Sequence, residues 1–408
     1  MIRQPSTGPT IRRDGGLDRD RRSRPRRHVL RALRDLGPQP RVTLARRLDL
    51  SPTTVTKVVA QLLDEGVVSE TGAAGPGLRV GRPPTHVALV PTAAYVLAVQ
   101  IGVGTVHIGL CDLLGRPHHT TSFTFDTADR DPSTVLRATT SHLGAFVTQI
   151  GAGTERIIGV GVVVPGPVDR HRRRNLMAIN LGWRDVAISE NVETAFGVPT
   201  VVDHSVRAMA LAEARHGGHR DADPLLYVYV RAGVGAGVVI DGEPFRPGTY
   251  GVLELGHMRI DDDGPPCVCG ADGCLETVVS EPRLVDQLAR LGDHIDAPLR
   301  GRAAAPLAHL AARVEAGQSH AHAIAGDLVE HLSTALSCAA NLLNPRVIVL
   351  GGMFDDAPRM IIDRIEEAVH RKVFPVLRDD VRVTGSVLGV DAGISGAATV
   401  ALDRYFYA

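Results

Sequence analysis

Lysine is almost absent from this 408-residue chain: only Lys57 and Lys372 are present, and the rest of its 45 basic residues are arginines. The bias is that of a GC-rich coding sequence, so no single arginine marks a functional position by type alone. Long apolar runs are missing too. No uninterrupted stretch reaches the roughly 18 residues of a membrane span, which excludes an ordinary transmembrane helix. The arginine-rich N-terminus is not followed by the apolar segment of a secretory signal. A cytoplasmic protein without a membrane partner is expected. Cysteine is scarce, with five residues, and in a reducing compartment crowded cysteines point to a metal before a disulfide. Cys111 and Cys338 stand alone in apolar surroundings and read as core residues. The other three are crowded into "CVCGADGCLE", residues 267–276, with a histidine ten residues upstream in "ELGHMRI".

A net charge of zero conceals an asymmetry. Residues 1–90 carry 17 basic and eight acidic residues, and the remainder carries 28 basic and 37 acidic ones. A head of +9 on a body of −9 points to a nucleic-acid partner at one end only. Residues 1–26 are polar, charged and interrupted by Gly and Pro, and read as a disordered arginine-rich arm. Order is expected from "HVLRALRDLG", whose apolar spacing fits an amphipathic helix ended by Gly37. A short helix in "VTLARRL" and a third in "LSPTTVTKVVAQLLDEGVV" follow. In the third, Ser51 is a good N-cap and Pro52 suits the first turn. Val55, Val58, Val59, Leu62 and Leu63 form its apolar face. Ser51, Thr53, Thr54, Thr56 and Lys57 lie near its start, where a helix-turn-helix protein reaches base edges and phosphates. "VVSETG" and "THVALVP" read as strands around a wing carrying Arg79 and Arg82. Residues 27–91 are therefore expected to form a winged helix-turn-helix domain that binds double-stranded DNA.

Beyond residue 92 the pattern is α/β, with buried strands such as "RIIGVGVVV", "LLYVYV" and "VIVLGG" alternating with glycine loops and helices. The motifs "VVVPGPVD", "NLGW", "DHSVRAMALAE", "ELGH", "CVCGADGCLE", "NLLNPRVIVLGG" and "GAATVAL" together resemble the ROK family of repressors, open reading frames and sugar kinases. The winged head marks the repressor branch. The resemblance implies a two-lobed actin/hexokinase-like body over residues 92–408. One lobe would span about 92–203 plus a C-terminal helix at about 395–408, and the other about 204–394.

His257, Cys267, Cys269 and Cys274 supply one nitrogen and three sulfurs, a closed tetrahedral set suited to one structural Zn2+ per chain. Four protein ligands leave no position for an activated water, so the metal is expected to pin a loop. In sugar kinases of the family, the glutamates matching Glu254 and Glu276 bind sugar hydroxyls, and the zinc-binding histidine lies beside the sugar. Asn180 is a further expected contact. The pattern fails at the chemistry. His204 and Ser205 stand where the kinases carry Asn-Asp, so the general base is missing. Gln100 replaces the aspartate of the first phosphate loop, and Arg231 and Ala232 alter the second. Arg231 reads either as a cation near the former phosphate site, favouring an acidic effector, or as a surface residue.

The expected protein is a DNA-binding transcriptional regulator of sugar metabolism, a homodimer or homotetramer on a palindromic operator. Its silent kinase-like cleft would sense a sugar through Asn180, His204, Ser205, Glu254, His257 and Glu276. An active sugar kinase with a DNA-binding head, or a ligand-independent regulator with a vestigial pocket, are the alternatives.

Overall fold

The computed structural model describes residues 19–72, 85–151, 154–292 and 305–408. Its head comprises α1 (Arg19–Leu36), β1 (Gln39–Pro40), α2 (Arg41–Arg47), α3 (Pro52–Asp64), β2 (Val68–Thr71) and β3 (His86–Leu89), with the strands in the order β1-β3-β2. The expected arm is shortened by this arrangement. Residues 19–26 are not irregular but extend α1 toward the N-terminus, with Pro25 inside the helix. Arginine favours helix, and one proline near a helix start removes few backbone bonds. The rest of the predicted arm, and the wing residues Arg79 and Arg82, lie outside the described residues.

The first lobe holds β4 (Tyr95–Ile101), β5 (Thr105–Asp112), β6 (Pro117–Thr124), α4 (Pro132–Ile150), β7 (Ile157–Val164), β8 (Asn175–Ala178), β9 (Trp183–Val186), α5 (Ile188–Phe196) and β10 (Thr200–His204). The second lobe holds α6 (Ser205–His216), β11 (Leu225–Val230), β12 (Val234–Ile240), β13 (Glu243–Pro244), α7 (Leu275–Val279), α8 (Glu281–Ala289), α9 (Pro306–Glu315), α10 (Ser319–Leu343), β14 (Val347–Gly352), α11 (Arg359–Lys372) and β15 (Arg382–Gly385), and α12 (Ala392–Tyr405) closes the chain.

The two main sheets run β6-β5-β4-β7-β10 and β13-β12-β11-β14-β15. Each is an antiparallel meander of three strands continued by two parallel ones. Within each lobe the strand order is therefore 3-2-1-4-5, one plan used twice. The central strands β4, β7 and β14 are almost wholly buried, as sheets covered on both faces require. The edge strand β6 is mostly exposed and has no apolar run, which hid it from the sequence pattern.

Helix α12 packs on β4, β7 and β10 of the first sheet, while α6 packs on β11 and β12 of the second. The two helices also pack on each other, and small residues bring them close. A Cβ at Gly396 would fall 2.8 Å from the Ala208 carbonyl carbon. Only glycine fits there.

The head is not a bead on a tether. Leu30, Leu33, Leu44, Val55, Val59 and Leu62 belong to one apolar cluster with Leu113, Val400, Leu402 and Tyr407 of the body. Polar contacts reinforce it. Asp403 of α12 accepts from Arg34 of α1 at 3.0 Å and from Arg215 of α6 at 2.8 Å. The Arg34 guanidinium lies 4.8 Å from the Tyr407 ring centre, and the Tyr407 hydroxyl donates to the Leu113 carbonyl at 2.7 Å. Of the two isolated cysteines, Cys111 is buried as expected, but Cys338 is exposed. It lies on α10 outside the stripe formed by Ala335, Leu336, Ala339 and Ala340, so the apolar surroundings in sequence are not its surroundings in space.

Candidate functional site

In the head, Ser51 caps α3 by accepting from the Thr54 amide at 3.1 Å, with Pro52 in the first turn. Val55, Val58, Val59 and Leu62 are buried, and Leu63 is half-buried at the margin. Thr53, Thr56 and Lys57 are exposed along one side. Thr54 differs from its neighbours. It is half-buried, and its hydroxyl shares a 2.8 Å hydrogen bond with that of Ser51. Thr54 and Ser51 therefore build the helix start, and the outward-facing groups are Thr53, Thr56 and Lys57.

The histidine–cysteine loop closes on itself. His257 ends a single 3-10 turn, Leu255–His257. Cys267 and Cys269 follow on a loop, and Cys274 caps α7. The loop can wrap because Gly270 and Gly273 hold φ of +96° and +68°, and a Cβ on Gly273 would collide with the Asp261 carbonyl. The ligand atoms of His257, Cys267, Cys269 and Cys274 all lie within 4.8 Å of one another. Cys269 Sγ and Cys274 Sγ are 3.7 Å apart, and Cys267 Sγ is 3.6 Å from His257 Nδ1. A tetrahedral ion about 2.3 Å from each sulfur requires edges of about 3.8 Å. The donor set and its spacing fit a metal.

Between the lobes lies a cavity of about 1360 Å³, and Asn180, His204, Ser205, Glu254, His257 and Glu276 all line it. His257 joins it to the cysteine loop: Nδ1 faces Cys267, while Nε2 lies 4.0 Å from Glu254 Oε2. Glu276 does the same from α7. Its Oε1 lies 3.6 Å from Cys267 Sγ, and its Oε2 accepts from the Val234 amide at 3.4 Å. The lobes meet over Gly233, where a Cβ would come 2.8 Å from Glu276 and 3.0 Å from Asn180 Nδ2. Burial pushes the Glu254 carboxyl above its usual range, with Glu276 adding to the rise and His257 opposing it.

His204 and Ser205 sit at the start of α6, both buried. Burial drives the His204 imidazole down to about 4, with Arg207 contributing, so the ring is neutral near neutral pH. His204 Nδ1 accepts from the Arg207 amide at 3.4 Å, which leaves Nε2–H as the donor. The nearest carboxylate in sequence, Asp203, does not line this cavity. It is buried on the other side, against Arg172, Arg207 and Arg246.

Gln100, Arg231 and Ala232 line the far end of the cavity. Gln100 lies against the first turn of α12, where a Cβ on Gly393 would meet its Oε1 at 1.9 Å. Arg231 is neither a surface residue nor a spare cation. It is half-buried and paired with the buried carboxylate of Glu281 at 3.2 Å, so its charge is already balanced. Sequence reading missed Glu281, which is 50 residues away and has no motif to announce it.

Comparison with known proteins agrees with this architecture. Residues 96–404 match the ROK family, and residues 23–71 match the MarR family. The chain belongs to the ROK family, with a MarR-type winged-helix head before its actin/hexokinase-like body. It is 28% identical over 381 residues to the DNA-binding transcriptional repressor Mlc of Escherichia coli K12, covering 91% of each chain. It is 26% identical to the xylose repressor of Bacillus subtilis, covering 92% of this chain and 94% of that one. Among solved structures, a ROK family transcriptional regulator homologous to the Escherichia coli Mlc protein superposes with a TM-score of 0.76 at 27% identity, covering 94% of this chain and 96% of that chain. A ROK family glucokinase from Streptomyces griseus, solved with glucose and AMPPNP, gives 0.64 at 26% identity and covers 76% of this chain and all of that one.

Proposed function

We propose that this protein is a cytoplasmic, sugar-responsive transcriptional repressor whose kinase-like body senses its ligand without phosphorylating it. The observation that carries the reading is the placement of α6. Its first residues, His204 and Ser205, line the cavity, and its last turn reaches the head through Arg215 and Asp403. Twelve helical residues span about 18 Å, so one rigid element runs from the ligand cavity to Asp403 of α12, the carboxylate that also holds Arg34 of the head.

In this reading Glu254 and Glu276 accept bonds from adjacent sugar hydroxyls, and Asn180, His257 and neutral His204 supply donors. Neutralisation of Arg231 by Glu281 favours an uncharged sugar over an acidic one. A zinc ion held by His257, Cys267, Cys269 and Cys274 would fix the His257 ring and the Glu276 loop, a structural role with no open coordination position. Thr53, Thr56 and Lys57 would face DNA, with Arg79 and Arg82 on the wing. Two heads in a dimer or tetramer would match a palindromic operator. A ligand that binds one lobe arrangement better than another would then bias the head geometry.

The zinc assignment predicts one equivalent per chain by elemental analysis. Cys269→Ser should lower that occupancy and weaken the thermal shift produced by a bound sugar. Absence of stoichiometric metal from protein purified without chelator would contradict it.

DNA binding should weaken steeply with added salt, as expected when phosphates are neutralised. Lys57→Ala should reduce affinity for all sequences about equally, whereas Thr56→Ala should change sequence preference. Deleting the head would expose the shared core, so point variants are the sound test. Unaltered binding by Thr53→Ala, Thr56→Ala and Lys57→Ala together would remove α3 from the interface.

Sugar-stimulated ATP hydrolysis should be undetectable. Ser205→Asp should not restore it, because Gln100 and the Arg231–Glu281 pair still occupy the nucleotide end. Phosphorylation of any hexose by the wild-type protein would overturn the silent-kinase reading.

A further inference from the structure

A second, smaller cavity of about 210 Å³ opens where the head and both lobes meet. Arg31 comes to it from α1 of the head, Arg172 from the loop after β7, Arg207 from α6, and Arg246 from the segment after β13. Asp203, Glu243 and Asp403 complete its charged lining. These charges do not cancel. Asp203 faces Arg172, Arg207 and Arg246, Glu243 also acts on Arg246, and the four arginines of the lining exceed its three carboxylates by one positive charge. Asp403 is already shared between Arg34 and Arg215, and Glu243 is exposed.

Much of the hydrogen-bonding capacity of these arginines is unspent. Among the described residues, Arg31 uses only its Nε, donating to the Tyr407 carbonyl at 3.1 Å, and Arg246 uses only one terminal nitrogen, on Asp203 at 3.3 Å. Arg172 Nε is buried with no partner. Arg172 also holds φ at +59°, a left-handed conformation that costs a non-glycine residue energy and is kept where the surroundings impose it. Asp203, for its part, stays charged. Burial alone would raise its carboxyl, but the Arg172, Arg207 and Arg246 guanidiniums hold it below the usual range.

We infer that this junction is a binding site for a small oxyanion of the phosphate class, distinct from the interlobe sugar cavity. Guanidinium forks match tetrahedral oxyanions in geometry and are the strong form of such recognition. The excess of positive charge favours an anion over a neutral ligand. Arg31, Arg172 and Arg246 come from three different parts of the chain, so an anion bridging them ties the head to both lobes at once. The ligand would be free phosphate or the phosphoryl group of a small metabolite, and either would act by favouring one head orientation.

The test uses full-length protein and inorganic phosphate, with chloride at equal ionic strength as the control. Equilibrium dialysis should find phosphate bound at one site per chain, and hydrogen exchange in α1 should slow in its presence. Arg246→Ala should weaken binding about tenfold or more, as expected for loss of a charge-assisted contact. Arg246 is partly exposed and its replacement should fold; Arg31→Gln provides a second variant with the same expected loss. Arg231→Ala, in the sugar cavity, and Arg359→Ala, exposed on α11, should leave phosphate binding unchanged. Running a hexose 6-phosphate in parallel distinguishes the sources: tighter binding that Arg246→Ala abolishes identifies a phosphorylated metabolite, and equal or weaker binding identifies phosphate itself. No phosphate binding beyond the chloride control, or binding that survives both Arg246→Ala and Arg31→Gln, would overturn the proposal.

Discussion

The close packing of α6 against α12 is the constraint on which the rest of the molecule depends. Each helix belongs to a different sheet, and at Gly396 their backbones approach too closely for any side chain to intervene. Interiors packed at this density transmit displacement instead of absorbing it. A change in lobe closure at the His204 end of α6 must therefore be felt at Asp403, where Arg215 of α6 and Arg34 of the head share one carboxylate. The core of the head is continuous with that of the body, because Leu30, Leu33 and Leu62 pack in the same cluster as Val400 and Leu402.

The interlobe cavity gathers side chains from both lobes. Glu254, Glu276 and Asn180 line it together with His257, which also belongs to the cysteine loop. Ser205 stands without a neighbouring free carboxylate, because Asp203 is committed to three arginines. Another part of the cavity wall carries an internal ion pair, Arg231–Glu281. Membership of the ROK family accounts for the fold, and we propose that these positions keep sugar binding without catalysis.

What could be seen in the sequence follows physical range. Local rules were enough for α3, where Ser51, Pro52 and the valine spacing act within four residues of one another. They were enough for the cysteine loop too, because C-x-C-x4-C brings three ligands together by itself. They failed where partners are distant. Asp203 and Arg246 are 43 residues apart, and Arg231 and Glu281 are 50 apart, so neither pair leaves a periodic signal. The hydroxyl bond between Thr54 and Ser51 depends on side-chain direction, which composition does not encode. The six cavity residues come from four separate segments, and only resemblance to a known family gathered them before the fold did.

The central claim is that sugar in the interlobe cavity and DNA on the head are thermodynamically coupled. Coupling of this kind is reciprocal: the factor by which sugar changes DNA affinity must equal the factor by which DNA changes sugar affinity. The direct measurement takes genomic fragments selected by the protein and a hexose identified by its thermal shift, and titrates each in the absence and presence of the other. Equal factors in both directions, lost together in Glu276→Gln while DNA binding itself persists, are the predicted result. A sugar that binds the cavity and leaves DNA affinity unchanged would contradict the account.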